Sequence, residues 1–220
     1  MTRSPSPGPH AGPGVFIAFE GADASGKSTQ IALLAERLQS VGHRVVVSRE
    51  PGGTAVGRRI RALVLDHSDE GAALSPRAEA LLMAADRAQH VAEVIRPALA
   101  AGSIVLCDRY IGSSVAYQGV GRSLGASPVE RLSWWATEDL VPTLTVVILV
   151  PAEVSLSRLS AQGTPDRLES IGPDFVRRVS AAYDELATRP AAAAVPGTGT
   201  PDQVAALVWA AVIPALPVVP

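Results

Sequence analysis

An eight-residue stretch near the amino terminus restricts the fold of this chain more than any other feature of its sequence. Residues 21–28 read GADASGKS and fit the pattern G-x-x-x-x-G-K-[ST]. An apolar run of strand length, 15–19, precedes them, and apolar residues recur at helical spacing after them. A glycine-rich loop between a strand and a helix attracts phosphate through its backbone N–H groups and the helix amino terminus. The sequence therefore predicts an α/β fold with a nucleotide-phosphate site after its first strand.

Two side chains of this loop have distinct expected roles. The Lys27 ammonium is expected to reach the terminal phosphates, and the Ser28 hydroxyl is expected to ligate Mg²⁺. We predict that ATP contacts the whole loop and the residue that follows it: Gly21, Ala22, Asp23, Ala24, Ser25, Gly26, Lys27, Ser28 and Thr29.

The bulk properties indicate one domain with an aliphatic core. The chain has 220 residues, of which 47% are hydrophobic and only 4% aromatic. The net charge of −2 gives no electrostatic reason to expect nucleic acid or an anionic membrane as a partner. No apolar stretch approaches the roughly 18 residues of a membrane helix. The single cysteine, Cys107, is expected to be an inert residue of a buried strand. These features predict a cytoplasmic protein.

Strand and helix patterns alternate along the chain, which favours a parallel sheet covered by helices on both faces. Strands are predicted at 15–19, 44–49, 104–107, 144–150 and, more weakly, 192–195. Helices are predicted between them, with a long one from 76 to about 101 and a last one that begins with a capping box of Thr200 and Gln203. The polar and glycine-containing segment up to Gly125 is predicted as a loop. Residues 1–14 are predicted to be a flexible leader, 15–213 the domain and 214–220 a proline-rich tail.

Charged residues stand at the carboxyl ends of the first three strands, where ligands bind in parallel α/β sheets. Strand two ends in Arg49, and strand three ends in Asp108 and Arg109. Together with Lys27, these arginines supply more positive charge than one triphosphate needs. The sequence thus predicts a phosphoryl acceptor that itself has a phosphate group, because two phosphates in one site repel each other unless cations neutralise them.

Several motifs in order give the chain a strong resemblance to the thymidylate kinase family. They are FIAFEGADASGKST, SREPGGT, RIRALVLD, AADRAQH, CDRYIGSSVAYQG and DRLE, and they extend over about residues 15–190. The resemblance implies a three-layer α/β/α P-loop kinase fold with a five-stranded parallel sheet and a short lid at about 160–170. It also implies ATP-dependent and Mg²⁺-dependent phosphorylation of dTMP to dTDP, and a homodimer, whose interface could use the helix faces near Met83 and Trp134/Trp135.

The resemblance also assigns individual residues. Lys27 and Arg109 are implied in catalysis, and Ser28 and Asp108 in holding Mg²⁺. Asp23 is implied to hold the acceptor 3′-hydroxyl, and Arg87 to bind the thymine carbonyl. Tyr117 is implied to crowd the 2′ position, and the Glu50–Pro51 bond is often cis in the family. The full set implied to bind dTMP is Asp23, Arg49, Pro51, Arg61, Met83, Arg87, Arg109, Ser113, Tyr117 and Gln118.

The chain departs from the family pattern at two places. Many members have an aromatic ring where this chain has Met83, four residues before Arg87. Members also place a catalytic arginine either in the phosphate loop, where this chain has Ala24, or before the lid glycine, where it has Gln162. We therefore predict that Arg158 or Arg167 supplies this cation when the lid closes, with Arg167 preferred because it lies in the DRLE motif.

Two alternative functions stay open at this stage. Met83 is compatible with a deoxynucleotide kinase that uses another acceptor. Ala24 and Gln162 are compatible with a catalytically weak nucleotide-binding protein of the same fold. The complete set of Lys27, Ser28, Asp108 and Arg109 favours an active kinase.

Overall fold

The computed structural model describes residues 14–65, 74–161 and 167–216, and within these ranges the strands form one parallel sheet. The strands are β1 (Val15–Glu20), β2 (Val45–Arg49), β3 (Ile104–Asp108), β4 (Leu144–Leu149) and β5 (Ala192–Pro196). Their spatial order is β2-β3-β1-β4-β5, and every pairing is parallel. The predicted five-stranded parallel sheet is confirmed, with the strand before the phosphate loop at its centre.

Side chains alternate between the two faces of β1, so the sheet has a core on each side. Ile17 and Phe19 pack in one cluster with Leu34 and Val208, which lie on two of the helices that cover the sheet. Phe16 and Ala18 point to the opposite cluster. Because both faces are covered by apolar residues, all of β1 is buried, as expected for a central parallel strand.

The helices surround this sheet and connect its strands. They are α1 (Lys27–Ser40), α2 (Ala55–Leu65), α3 (Pro76–His90), α4 (Arg96–Ala100), α5 (Ile111–Ser114), α6 (Ala126–Ala136), α7 (Ala152–Ala161), α8 (Pro173–Leu186) and α9 (Pro201–Val212). The capping box of Thr200 and Gln203 at the start of α9 is confirmed. No helix in these described segments combines the length and the apolar character needed to span a bilayer.

The long helical segment predicted from 76 to about 101 is confirmed, and it contains a π-helical stretch, Val91–Ile95, between α3 and α4. The segment after β3, predicted as a loop, forms α5 and a second π-helical stretch, Val115–Gly121. Its polar side chains made it look like a loop, but Tyr117 and Gln118 are buried in tertiary contacts, which outweigh local composition.

Some predictions fall wholly or partly on residues that the structure does not describe. Outside the described residues lie 1–13 of the predicted leader 1–14, 162–166 of the predicted lid at about 160–170, and 217–220 of the predicted tail. Gln162 lies outside the described residues for this reason. Cys107 is fully buried on β3, as expected.

Candidate active site

The phosphate loop turns between β1 and α1 on glycines with unusual backbone angles. Gly26 stands just before α1 with φ 97°, a left-handed conformation that glycine adopts without strain. A side chain at Gly21 would place its Cβ 2.5 Å from the carbonyl oxygen of Ile148. The loop can therefore take this path only with glycine at these positions, and its N–H groups stay available to an anion.

Lys27 lies over the loop on the first turn of α1. Its ammonium donates hydrogen bonds to the carbonyl oxygens of Gly21, at 3.0 Å, and Ala22, at 2.8 Å. Burial, and then the positive charge of Arg109, lower the pKa of Lys27 to about 8. A cation that has lost its hydration in this way gains most from an anionic ligand, and a phosphate at the loop would supply one.

Ser28 and Asp108 form a pair of oxygen ligands beside the loop. The Ser28 hydroxyl donates to Asp108 Oδ2 at 2.9 Å. Asp108 Oδ1 is buried and has no hydrogen-bond partner among the described residues. A hard cation such as Mg²⁺ is held by one or two carboxylate or hydroxyl oxygens together with substrate phosphates, and this pair fits that requirement.

A cleft opens next to the loop and contains about 560 Å³ of empty space, part of which is open to solvent. The structure brings together here all but one of the residues implied to bind dTMP, and the exception is Arg49. The cleft is lined by Asp23, Pro51, Arg61, Met83, Arg87, Arg109, Ser113, Tyr117 and Gln118 from that set. It is also lined by Glu50, Leu65, Asp86, Ser114 and Leu168, which the sequence did not single out.

Asp23 and Arg109 join the phosphate loop to this cleft. Arg109, at φ 72°, donates to the Gly21 carbonyl oxygen at 3.1 Å and forms an ion pair with one oxygen of Asp23. The Tyr117 hydroxyl donates to the other oxygen at 2.6 Å. Burial would raise the pKa of Asp23, but the charges of Arg109 and Lys27 outweigh it and hold the pKa below its usual value. The loop and the cleft thus share one ionised carboxylate.

Glu20, at the end of β1, supports the contact between Asp23 and Arg109, a role that the sequence did not reveal. Its buried carboxylate accepts from the backbone N–H groups of Tyr110 and Ser113, both at 3.0 Å, and from the Ser113 hydroxyl at 2.6 Å. Burial raises the pKa of Glu20, although the hydrogen bond from Ser113 opposes the rise. The Ser113 hydroxyl is committed to this network, and it also accepts from Arg109 at 3.2 Å. Ser113 therefore supports Arg109 more directly than it could contact a base.

Arg87 stands at the other end of the cleft with most of its donors occupied. It bonds to Glu50 at 2.6 Å, to Ser114 at 3.1 Å, to Ser133 at 3.2 Å and to the Tyr110 carbonyl oxygen at 2.9 Å. A guanidinium has five N–H donors. Among the described contacts one N–H of Arg87 is left to face the cleft, which is enough for one carbonyl.

The predicted turn after β2 shapes the wall of the cleft. The Glu50–Pro51 peptide bond is cis, a point that the sequence left open. Arg61, on α2, donates to the Pro51 carbonyl oxygen at 3.1 Å and lines the cleft. Arg49 is exposed at the end of β2 and does not line it. Met83 lines the cleft and packs against the apolar cluster around Tyr117.

The two candidate lid arginines lie in different surroundings. Arg158, on α7, donates to the carbonyl oxygens of Ala24, at 3.2 Å, and Gly197, at 3.1 Å, so it lies directly beside the phosphate loop. Arg167 donates to the Val64 carbonyl oxygen at 2.6 Å and pairs with Glu79 at 2.5 Å. These contacts do not support the preference for Arg167 over Arg158.

A buried group of potential metal ligands, Glu50, His90 and Cys107, lies behind the cleft, with its ligand atoms within 4.8 Å of one another. Both Glu50 oxygens already have partners, Arg87 and the His90 Nδ1 at 2.9 Å. The other His90 nitrogen bonds to Ser48 at 2.6 Å. Because these atoms are all engaged with protein groups, the cluster is explained as a hydrogen-bonded support of the turn after β2.

Comparisons with known proteins agree on one family. A family model described as "Thymidylate kinase" matches residues 19–206. A protein named thymidylate kinase from Leifsonia xyli subsp. xyli is 52% identical over 179 residues, which cover 81% of this chain and 84% of that protein. One from Clavibacter sepedonicus is 53% identical, with 79% and 82% covered, and one from a Synechococcus strain is 46% identical, with 92% and 96% covered.

Proposed function

The chain belongs to the thymidylate kinase family, and we propose that its cleft binds dTMP while its phosphate loop binds ATP. The enzyme phosphorylates dTMP to dTDP in an ATP-dependent transfer. The observation that supports this placement best is the junction of Asp23 and Arg109, through which one loop reaches both substrates. Two phosphates bound on its two sides would meet there.

On the donor side, the loop N–H groups and Lys27 bind the phosphates of ATP. Ser28 and Asp108 would hold Mg²⁺, which when bound neutralises phosphate charge and orients the donor. The low pKa of Lys27 rises when phosphate charge arrives, so the ammonium stays protonated in the complex.

On the acceptor side, Arg109 and Arg61 bind the phosphate of dTMP. An oxygen of that phosphate attacks the γ-phosphorus of ATP, and the bond from this phosphorus to the β–γ bridging oxygen breaks, so that ADP leaves. The acceptor oxygen is already ionised at neutral pH, and therefore no general base is needed. Arg109 can stabilise the transferring group because it faces both the loop and the cleft.

The thymine ring lies towards Arg87 and Gln118, with Met83 against its face. Methionine sulfur packs favourably on aromatic rings, by about 0.3–1.5 kcal/mol, so Met83 can replace much of an aromatic stack. Tyr117 is held by Asp23 near the position of the sugar. This arrangement leaves little room for a 2′-hydroxyl group and favours deoxyribose.

A lid arginine completes the donor side. In the described arrangement Arg158 already lies beside the loop, whereas Arg167 would have to leave Glu79 and Val64 to reach it. We therefore place Arg158 ahead of Arg167 as the cation that reaches the transferring phosphoryl group.

An ADP-release assay with a panel of acceptors tests the function. With ATP and Mg²⁺, dTMP should give a higher kcat/KM than dUMP, dCMP or dGMP. A clear preference for a base other than thymine would establish the alternative acceptor instead. A folded protein that releases no ADP in response to any of the four would contradict kinase activity and favour the nucleotide-binding alternative.

The enzyme is proposed to be a homodimer that uses the face formed by α2, α3 and α6. These helices pack side by side, α2 on α3 and α3 on α6. Leu63 and Leu81 are more than half exposed on this face, and Trp135 on α6 is 80% exposed. Trp134, its neighbour, is half-buried against the core instead. Exposed apolar side chains on three adjacent helices fit a second copy of the same surface.

A further inference from the structure

A buried carboxylate, Glu79 on the first turn of α3, accepts hydrogen bonds from three side chains in two separate segments of the chain. Glu79 is fully buried. Its Oε2 accepts from Arg122, at 2.7 Å, and from Arg167, at 2.5 Å. Its Oε1 accepts from Arg122 Nε at 3.3 Å and from the side-chain amide of Gln118 at 3.0 Å. A charge in this position is costly unless it is paired, and two guanidinium groups pair it.

The ionised state of Glu79 decides which way the Gln118 amide is turned. Burial would raise the pKa of Glu79, but the hydrogen bonds from Arg122, Gln118 and Arg167 outweigh it and hold the pKa below its usual value. A carboxylate that is ionised can only accept hydrogen bonds. Gln118 must therefore direct its nitrogen at Glu79, and its oxygen points away from Glu79.

Gln118 lines the cleft, and its burial prevents free rotation of the amide. The residue is 1% exposed, and it forms part of the cleft wall together with Arg87 and Tyr117. A flip would bring the amide oxygen against a carboxylate oxygen of Glu79 and leave the buried charge without one of its donors, which is unfavourable. Because the amide nitrogen is turned to Glu79, the side-chain atom of Gln118 on the side away from Glu79 is its oxygen, an acceptor.

We propose that Glu79 is a positioning residue for acceptor choice: by holding the nitrogen of Gln118, it makes Gln118 present an oxygen to the base. This inference rests on the proposed function of the cleft. A base satisfies that oxygen only by donating a hydrogen bond. Thymine and uracil donate from ring nitrogen N3, next to the carbonyl assigned to Arg87. Neutral cytosine has a lone pair at N3, and its donor on this edge, the 4-amino group, replaces the 4-carbonyl and would face the Arg87 donor instead of the Gln118 oxygen. Glu79 thus selects against cytosine without distinguishing thymine from uracil.

The substitution Glu79→Gln tests this reasoning because a neutral amide can either accept or donate. Gln118 is then free to turn its nitrogen to the cleft. We expect the ratio of kcat/KM for dTMP to that for dCMP to fall about tenfold or more, a change of about 1.4 kcal/mol. The ratio for dTMP to dUMP should stay within about twofold, because both bases have the N3 hydrogen.

Two further variants separate the amide contact from the ion pairs. Arg122→Met removes one guanidinium but leaves Glu79 bonded to Gln118, so the dTMP to dCMP ratio should stay unchanged. Gln118→Ala should lower the ratio by itself, and adding Glu79→Gln to it should lower the ratio no further. Where Glu79→Gln is poorly folded, Glu79→Gln with Arg122→Met balances the charge and should show the same loss.

Equilibrium binding of dTMP, dUMP and dCMP, measured by calorimetry, gives the same ratios without turnover. The proposal is overturned if Glu79→Gln keeps the wild-type preference against dCMP. It is equally overturned if Glu79→Gln and Gln118→Ala act additively, or if Arg122→Met loses the preference as well. Failure of the wild-type enzyme to phosphorylate dTMP would count against the proposed function instead, and the binding ratios would still decide the role of Glu79.

Discussion

Asp86 should make the stability of this enzyme fall as pH rises through the weakly acidic range. The side chain lies behind the turn after β2 and is 1% exposed. Its Oδ1 accepts from the Gly52 N–H at 2.9 Å, while its Oδ2 is buried with no hydrogen-bond partner among the described residues. Burial, and then the negative charge of Glu50, raise the pKa of Asp86 from 3.8 to about 6.

The sign of the effect follows from this rise. The folded protein holds the Asp86 proton more tightly than the unfolded chain does, so the stabilisation is complete below pH 3.8 and is lost as pH rises past about 6. This rise in the pKa of Asp86 contributes roughly 3 kcal/mol to the free energy of unfolding at low pH, and the whole contribution is lost once Asp86 is ionised in the folded protein. Between pH 5 and pH 8 the loss is about 1.4 kcal/mol, because at pH 5 the unfolded chain has already released most of its proton.

Asp86→Asn removes this dependence with little change in shape. The amide oxygen still accepts from Gly52, and no ionisable group remains at the buried position. The free energy of unfolding of both proteins can be measured with urea at pH 5 and pH 8. The value for the variant minus that for the wild type should be about 1.4 kcal/mol larger at pH 8 than at pH 5. Titrating groups that do not interact with Asp86 are common to both proteins and cancel in this difference.

Asp184→Asn provides a matched control, since Asp184 is exposed on α8 and its loss removes the same charge from the surface. A pH difference for Asp184→Asn as large as that for Asp86→Asn would attribute the effect to net charge and not to the burial of Asp86. The reasoning about Asp86 is refuted if Asp86→Asn shifts the free energy by the same amount at both pH values, or if it is more favourable at pH 5.

Three other predictions concern the donor site and the assembly. Arg158→Ala should lower kcat more than Arg167→Ala does, and the lid-arginine proposal fails if neither lowers it more than about fivefold, or ~1 kcal/mol. Asp108→Asn should raise the Mg²⁺ concentration for half-maximal activity about tenfold, because one of a few oxygen ligands loses its charge; an unchanged Mg²⁺ titration would contradict its role as a ligand. Sedimentation should show that the wild-type enzyme is a dimer and that Leu81→Glu converts it to a monomer. The control Leu207→Glu, on α9, should leave the dimer intact. A monomeric wild-type enzyme would contradict the homodimer proposal.

The sheet could be predicted from the chain because its signals are local. Apolar runs at 15–19 and 144–150 are long enough for strands and lack the spacing of a helix. Strand β5 is weaker, with alanine at three of its five positions, and it was still found because it lies between two clear helices. The segment after β3 was misassigned since its helical form depends on burial of Tyr117 and Gln118, not on local preference.

Most side chains of the candidate site could also be located from sequence motifs, but their partners could not. Asp23, Arg87 and Arg109 line one cleft, as the motifs implied. The commitment of the Ser113 hydroxyl to Glu20 joins residues 93 positions apart. A pattern in one short segment contains no information on which distant group will contact it, so the role of Glu20 beneath Arg109 could not be predicted.

The sequence by itself determined the chemistry of the phosphate loop and the family to which the chain belongs, because glycine spacing, Lys27 and Ser28 act within a few residues of one another. Only the tertiary structure decided which way the Gln118 amide faces, which lid arginine touches the loop and how strongly Asp86 holds its proton. Each of these depends on burial and on charges brought from other elements. Such contacts form only when the helices pack on the sheet.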